Sequence, residues 1–201
     1  MSDNLRKRLN ESDIADILSE LDSRDMAGYT RNFIDDFEKA ISQTVDVEAD
    51  EDWTGVVFLG MGGSGAGGMF LSSLTDQNGG MPFVIWRDYG LPSWWGPDWL
   101  VFATSYSGNT EETLDGVQEA LENGGTVVGI CSGGGLQEIL ENSDDSICLN
   151  VPDGQMPRSA FGHLFGSQLA ACWAIGLLAR PSLDELSAML SRLRTASIEA
   201  D

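Results

Sequence analysis

A glycine-rich segment, residues 60–68, constrains the fold of this chain more than any other part of the sequence. It follows the apolar run Val56–Leu59 and precedes a second apolar stretch that begins at Met69. This order predicts a strand, a tight turn and a helix. Glycines let the backbone adopt positive φ and approach a ligand closely, and the first N–H groups of the helix would point into the turn. We therefore expect an anion site, with phosphate as the usual anion; the alternative is a turn that binds nothing.

Hydroxyl side chains dominate a second segment, Ser105-Tyr106-Ser107-Gly108-Asn109-Thr110, which lies between a predicted strand and a predicted helix. Asn109 could cap this helix, with Glu112 at the third helical position closing a capping box. One such residue is enough to cap a helix. The additional hydroxyl side chains therefore favour a phosphate cradle, in which hydroxyls donate to phosphate oxygens. Glu111 and Glu112 are interpreted as ordinary first-turn carboxylates rather than catalytic bases.

Apolar runs alternate with helical patterns along the rest of the chain. Strands that are apolar throughout are typical of a parallel sheet covered by helices on both faces, so the fold class is α/β, a three-layer αβα sandwich. The carboxyl ends of parallel strands meet at one edge, where we expect the turns 60–65, 105–109 and 132–135 to gather. The predicted strands are 56–59, 83–86, 100–104, 126–131 and 146–151.

Helical patterns also flank this region at both ends. A helix is predicted over 23–47, and the predicted domains are an N-terminal helical extension (1–50), a central domain (51–180) and a C-terminal helix (181–201). A long apolar helix over 158–179 closes the central domain.

Charge and composition exclude several classes of partner. The 201 residues carry a net charge of −21, which disfavours nucleic acid and anionic membranes as partners. The sequence shows no run of about 20 apolar residues and no signal-peptide pattern, so we expect a cytoplasmic protein. Three widely spaced cysteines are interpreted as reduced core residues, and no metal site is predicted.

Together, Gly60–Gly65 and Ser105–Glu112 resemble the motifs of sugar isomerase (SIS) domains. Within this group, the sequence is most similar to bifunctional phosphoglucose/phosphomannose isomerases. The resemblance covers roughly residues 20–180. It includes the leading helix from Leu21 to Ile41 and the segment Pro157–Gly162. The family implies a flavodoxin-like five-stranded sheet that binds a sugar phosphate, with no cofactor.

The resemblance also assigns roles to individual residues. Arg158 would lie near the sugar oxygens and stabilise the enediolate, as a permanently charged guanidinium can; the alternative is a surface ion pair. His163, the single histidine, is interpreted as a packing or rim residue, although its location beside Arg158 would also suit an acid/base. The residues expected to meet the phosphate are Gly62, Gly63, Ser64, Ser105, Ser107 and Thr110.

The implied reaction is the interconversion of glucose 6-phosphate or mannose 6-phosphate with fructose 6-phosphate by proton transfer. Isomerases of this family have two SIS domains in tandem, with the general base in the second. We therefore expect this chain to correspond to the N-terminal SIS domain, to be inactive alone, and to form a homodimer through helices 158–179 and 181–199.

Two alternatives to an isomerase remain open at this level. One is a non-catalytic phosphosugar-binding or regulatory module. The other is a dinucleotide-binding Rossmann domain, because Gly60-x-Gly62-x-x-Gly65 fits that fingerprint and Asp88 lies about where a ribose-binding acid would be. The hydroxyl cluster at 105–110 has no use in a dinucleotide site, which weighs against this second alternative.

Overall fold

The computed structural model describes residues 11–45, 53–78 and 80–200. Gly79 and the acidic residues 48–52 lie outside these ranges. The helices are α1 (Glu11–Leu21), α2 (Met26–Arg31), α3 (Phe33–Ile41), α4 (Ala66–Asn78), α5 (Glu111–Glu122), α6 (Gly134–Glu141), α7 (Phe161–Ala174) and α8 (Leu183–Ala200). The strands are β1 (Gly55–Leu59), β2 (Phe83–Trp86), β3 (Trp99–Thr104), β4 (Val127–Cys131) and β5 (Ser146–Asn150).

The five strands form one parallel sheet in the order β2-β1-β3-β4-β5. This doubly wound, flavodoxin-like order confirms the predicted fold class. The chain runs from β1 to β2 on one side and then crosses back to β3 on the other side of β1. Ligands in such sheets bind beyond the carboxyl ends of the strands at this switch point. The glycine turn after β1 and the hydroxyl-rich loop after β3 both lie there.

Successive residues of the central strands face opposite helical layers. Val56 and Phe58 of β1 belong to a core cluster shared with α3, α4, α7 and α8, whereas Val57 and Leu59 belong to a second cluster shared with α5 and α6. All four side chains are buried. Because both faces of the sheet are covered, each strand reads in the sequence as an uninterrupted apolar run.

Helix α3 packs along α7 and so belongs to the main core. Two glycines of α7 allow this close approach: a Cβ on Gly162 would lie 2.6 Å from the carbonyl oxygen of Phe33, and one on Gly166 would lie 2.6 Å from the Cβ of Ala40. Helix α8 lies in the same helical layer, and its Arg194 forms ion pairs with Asp35 and Glu38 of α3.

Two of the predicted helices are shorter in the structure. The helix expected over 23–47 is interrupted at Asn32, where ψ is 0°, and becomes α2 and α3. The helix expected over 158–179 ends at Ala174, because Gly176 adopts a φ of 75° and terminates it. Within the described ranges, no helix is both long and apolar enough to cross a bilayer.

Candidate functional site

Two glycines of the turn after β1, Gly60 and Gly65, leave no room for a side chain. A Cβ on Gly60 would lie 2.9 Å from the carbonyl oxygen of Thr104, and a Cβ on Gly65 would overlap the carbonyl oxygen of Gly60. Gly62 has a φ of 55° and no atom within 4 Å of its Cβ position, so it faces open space. Ser64 is buried at the end of this turn, immediately before α4. The turn therefore presents backbone and one hydroxyl to the switch point.

The loop after β3 holds its hydroxyls in a fixed arrangement. Ser105 is fully buried, and its Oγ lies 2.9 Å from Oγ1 of Thr110. Thr110 stands at the N-cap position of α5 without capping it through its side chain. Ser107 is exposed, and its Oγ accepts a hydrogen bond from the backbone N–H of Asn109. The structure thus leaves these hydroxyls beside the free N–H groups of a helix start.

Asn109 does not cap α5, so this expectation is wrong. Its side-chain N–H donates to the carbonyl oxygen of Ser107 at 2.9 Å, and its Oδ1 accepts from the backbone N–H of Gly135 at 3.0 Å. The side chain is therefore engaged within its own loop and with the start of α6. A local pattern could not reveal this role, because the partner lies 26 residues away.

One hydrogen bond joins the glycine turn to the hydroxyl-rich loop. The backbone N–H of Tyr106 donates to Oγ of Ser64 at 3.4 Å. The turn after β4 joins the same group, since the Oγ of Ser132 donates to the carbonyl oxygen of Tyr106 at 2.6 Å. The three turns therefore gather at one edge of the sheet, as their positions after parallel strands predict.

Arg158 reaches this edge from the loop after β5. The Cβ position of Gly63 lies 3.6 Å from the carbonyl oxygen of Pro157 and 3.9 Å from Cα of Arg158, so this loop packs against the glycine turn. Arg158 is exposed, and in the described part of the chain no carboxylate oxygen lies within 4.0 Å of its guanidinium. The structure thus brings Arg158 beside the predicted phosphate-binding residues.

Two further arginines border the site and were not expected from the sequence. Nε of Arg87, just after β2, lies 3.6 Å from the Cβ position of Gly65. Nη1 of Arg24 lies 3.2 Å from the Sδ of Met156, two residues before Arg158. Arg87 therefore lies beside the glycine turn, and Arg24 lies beside the loop that carries Arg158. No motif marks Arg24 or Arg87, and only the fold brings them to the edge.

His163 is buried rather than placed at the rim. Its Nε2 lies 3.3 Å from Oδ1 of Asp36 on α3, and both residues are less than a tenth exposed. Burial lowers the pKa of His163, Asp36 opposes this shift, and Lys39 adds to it. The other oxygen of Asp36 accepts from the side-chain amide of Gln155 at 3.0 Å. The packing interpretation of His163 is therefore confirmed, with a polar link to the loop that carries Arg158.

The three cysteines are free, as predicted. Cys131 and Cys148 lie on neighbouring strands with their sulfurs 3.9 Å apart. Hydrogen bonding from Cys148 lowers the pKa of the Cys131 thiol, whereas burial raises the pKa of Cys172. No group of three or more metal-ligating His, Cys, Asp or Glu side chains occurs among the described residues.

The arrangement as a whole suits an oxygen-rich anion. It combines glycine backbone, hydroxyl groups and the first N–H groups of two helices, α4 and α5, with an exposed arginine at one side. Helix N-termini and hydroxyls bind phosphate through hydrogen bonds and the helix dipole, so a strongly acidic protein can hold an anion here.

Sequence comparison identifies relatives of known activity. The chain is 37% identical over 153 residues to the bifunctional phosphoglucose/phosphomannose isomerase of Caldicellulosiruptor bescii, a match that covers 75% of this chain and 44% of the relative. It is 35% identical over 130 residues to the D-glucosamine-6-phosphate 4-epimerase of Sulfolobus acidocaldarius, covering 64% of this chain and 40% of the relative. The chain thus spans less than half the length of these curated relatives.

Structural comparison supports the fold. The C-terminal domain of glucosamine-fructose-6-phosphate aminotransferase from Francisella tularensis superposes with a TM-score of 0.56 at 13% identity, over 85% of this chain and 53% of that one. The sequence model of the SIS domain family matches residues 51–178. These residues contain the whole parallel sheet and every turn described above. With this match, and with the sheet order and turns in place, the chain belongs to the SIS domain family.

Proposed function

We propose that the edge between β1 and β3 binds the phosphate of a hexose 6-phosphate. The observation that carries this proposal is that the glycine turn and the hydroxyl-rich loop meet at the switch point, where the Tyr106 N–H donates to Ser64 Oγ at 3.4 Å. Backbone N–H groups and hydroxyls would then converge on one dianion. The proposed phosphate ligands are Gly62, Gly63, Ser64, Ser105, Ser107 and Thr110.

The proposed reaction is an aldose–ketose isomerisation between glucose 6-phosphate or mannose 6-phosphate and fructose 6-phosphate. A base removes the proton from C2 of the aldose and returns it to C1, through an enediolate whose negative charge Arg158 stabilises, while the proton of the C2 hydroxyl passes to the C1 oxygen. The matched relative from C. bescii carries this activity in its name. The proposed site supplies substrate binding and Arg158, while the base belongs to a second domain, so the described chain by itself turns over little substrate.

A second candidate substrate is an amino sugar phosphate. The similarity to a D-glucosamine-6-phosphate 4-epimerase favours it. Both candidates share the 6-phosphate and differ at C2, the carbon near which we propose that Arg158 lies. A cation near C2 favours a hydroxyl over the ammonium group of glucosamine, and this repulsion supports the isomerase substrate.

Titration with four ligands tests the proposal: fructose 6-phosphate, glucosamine 6-phosphate, fructose and NADH. We expect saturable binding of fructose 6-phosphate, weaker binding of glucosamine 6-phosphate and none of fructose. Calorimetry or tryptophan fluorescence would measure the Kd, since the chain has 6 tryptophans. Equal affinity for fructose and fructose 6-phosphate would refute a phosphate site. Binding of NADH in place of the sugar phosphates would favour the dinucleotide alternative.

Turnover is tested separately, with this chain and with a version extended through a second SIS domain. We expect isomerisation of fructose 6-phosphate by the extended protein and little by the chain alone. Binding without turnover in both forms would favour a non-catalytic sugar-phosphate module.

We also propose that the chain forms a homodimer in solution, with residues 158–179 and 181–199 contributing. Within the described ranges, large exposed apolar side chains lie on α4 (Met69, Phe70) and on α8 (Leu183). Phe70 packs on the half-buried rings of Phe161 and Phe165, so these two α7 side chains adjoin the exposed apolar side chains of α4. Burying these side chains would favour association. A monomer by light scattering at high concentration would overturn this proposal.

A further inference from the structure

Tyr106 connects four segments that surround the proposed site. Its backbone N–H donates to Ser64, and its carbonyl oxygen accepts from both the N–H (2.9 Å) and the Oγ (2.6 Å) of Ser132. Its hydroxyl points away from the hydroxyl-rich loop: it accepts from the backbone N–H of Gln155 at 2.9 Å and donates to the carbonyl oxygen of Pro152 at 3.0 Å. One side chain thus ties the phosphate-binding loop to the loop that carries Arg158.

The two ends of the loop over residues 152–158 are held differently. The carbonyl oxygen of Met156 accepts from the N–H groups of Ser159 and Ala160 at the start of α7, whereas residues 152–155 depend mainly on Tyr106 and Asp36. Most residues of the loop are exposed, and Gly154 has a φ of 84° with no atom within 4 Å of its Cβ position. The side chain of Gln155 donates to Asp36, which holds the outer side of the loop. The two hydrogen bonds of the Tyr106 hydroxyl hold its inner side, next to the glycine turn.

The Tyr106 side chain is suited to holding the 152–158 loop through two hydrogen bonds. The residue is 6% exposed, so its hydroxyl competes little with water for its two partners. Burial raises its pKa, and the hydroxyl keeps its proton at any working pH. It therefore acts as donor and acceptor at once, which neither phenylalanine nor a phenolate can do.

We infer that the Tyr106 hydroxyl is a positioning group that holds residues 152–158, and with them Arg158, against the glycine turn. The inference rests on the proposed function and deepens it, because that function assigns Arg158 to the sugar oxygens and the loop hydroxyls to the phosphate. The hydroxyl thus controls affinity for the sugar part of the ligand more than affinity for its phosphate.

The test compares Tyr106→Phe, Arg158→Ala and the double variant for binding of fructose 6-phosphate and of inorganic phosphate. We expect Y106F to weaken fructose 6-phosphate binding about tenfold, which is near the net worth of one or two buried hydrogen bonds. Inorganic phosphate should bind within about twofold of the unchanged protein. The double variant should bind fructose 6-phosphate no more weakly than R158A alone. Both substitutions remove the same contribution, the contact of Arg158 with the sugar, so their losses should not add. Tyr89→Phe is the matched control, because Tyr89 is exposed and its hydroxyl donates to Glu111 of α5 rather than to the 152–158 loop.

Two binding results would overturn the inference. Equal losses for fructose 6-phosphate and inorganic phosphate would show that Tyr106 shapes the phosphate loop itself. Additive losses in the double variant would show that Tyr106 does not act through Arg158.

Amide hydrogen exchange tests the same inference without any ligand. The N–H of Gln155 loses its acceptor in Y106F, so its exchange should accelerate at least about tenfold, whereas amides of β1 should keep their protection. Unchanged exchange at Gln155 would overturn the inference even if the chain binds no sugar phosphate. A failure of the proposed function itself would instead appear as an unchanged protein that binds neither ligand.

Discussion

The carbonyl oxygen of Gly133 occupies the space that a side chain on Gly108 would need. Gly108 also has a φ of 68°, a conformation that residues with a Cβ adopt at a cost of about 1–2 kcal/mol. Its own carbonyl oxygen accepts from the N–H of Leu136 at 2.8 Å. The hydroxyl-rich loop and the turn after β4 are therefore in direct backbone contact, and this contact requires glycine.

Gly108→Ala should lower the free energy of unfolding by at least about 3 kcal/mol, because backbone strain and a clash with a carbonyl oxygen add. Urea denaturation measures the loss. Gly124→Ala is the matched control: Gly124 has a similar φ of 76° but no atom within 4 Å of its Cβ position. We expect the control to lose only about 1 kcal/mol. Equal losses in both variants would contradict the proposed contact.

Ser107→Ala should weaken fructose 6-phosphate binding about three- to tenfold while leaving the melting temperature nearly unchanged. Ser107 is exposed at the proposed phosphate site, and its hydroxyl accepts one long hydrogen bond, from the N–H of Asn109 at 3.3 Å. Ser73→Ala provides the control, since Ser73 is exposed on α4 and donates only to the carbonyl oxygen of Met69. Calorimetric titration would measure both affinities, and an unchanged Kd in S107A would count against the phosphate cradle.

His163 should make the protein less stable below neutral pH. Its pKa is lowered in the folded state, so the folded chain holds this side chain neutral while the unfolded chain binds a proton near pH 6.5. The sign follows from linkage: stability is fully present above about pH 6.5 and is lost as the pH falls through that value towards the lower folded pKa. The groups that face His163 are Asp36, which opposes this shift, and Lys39, which adds to it.

His163→Gln should therefore flatten the dependence of unfolding free energy on pH between about 7 and 5. Glutamine can still donate to Asp36 but does not titrate. Parallel denaturation series at several pH values would measure the difference between the two proteins. A difference that stays constant with pH would show that His163 does not contribute through its protonation.

Cys131 should form a thiolate at lower pH than the other two cysteines. Hydrogen bonding from Cys148 lowers the pKa of the Cys131 thiol, while burial raises the pKa of Cys172. A pH titration of the native protein, followed by the ultraviolet absorbance of thiolate, would show this first deprotonation as a separate step. Cys148→Ala should move the step to higher pH, and Cys131→Ser should remove it. Persistence of the step in C131S would assign it to another group.

Local patterns were enough for the strands and for the main turns. The apolar runs at 56–59 and 100–104 became β1 and β3, because side chains buried on both faces leave no polar position in the pattern. The glycines at 60–65 marked a close backbone approach that the contact between Gly65 and Gly60 confirms. The apolar pattern did not give the bounds of two helices, because Asn32 and Gly176 interrupt helices whose apolar pattern continues beyond them.

The sequence by itself determined the layers of the sheet and the two segments at its edge, because apolar periodicity and glycine content are read over a few neighbouring residues. Only the tertiary structure decided which side chains work together. Ser64 and Tyr106 are 42 residues apart, and Gln155 and Asp36 are 119 apart, yet each pair is hydrogen bonded. Such partners are selected by strand order and helix packing, and no local spacing encodes them.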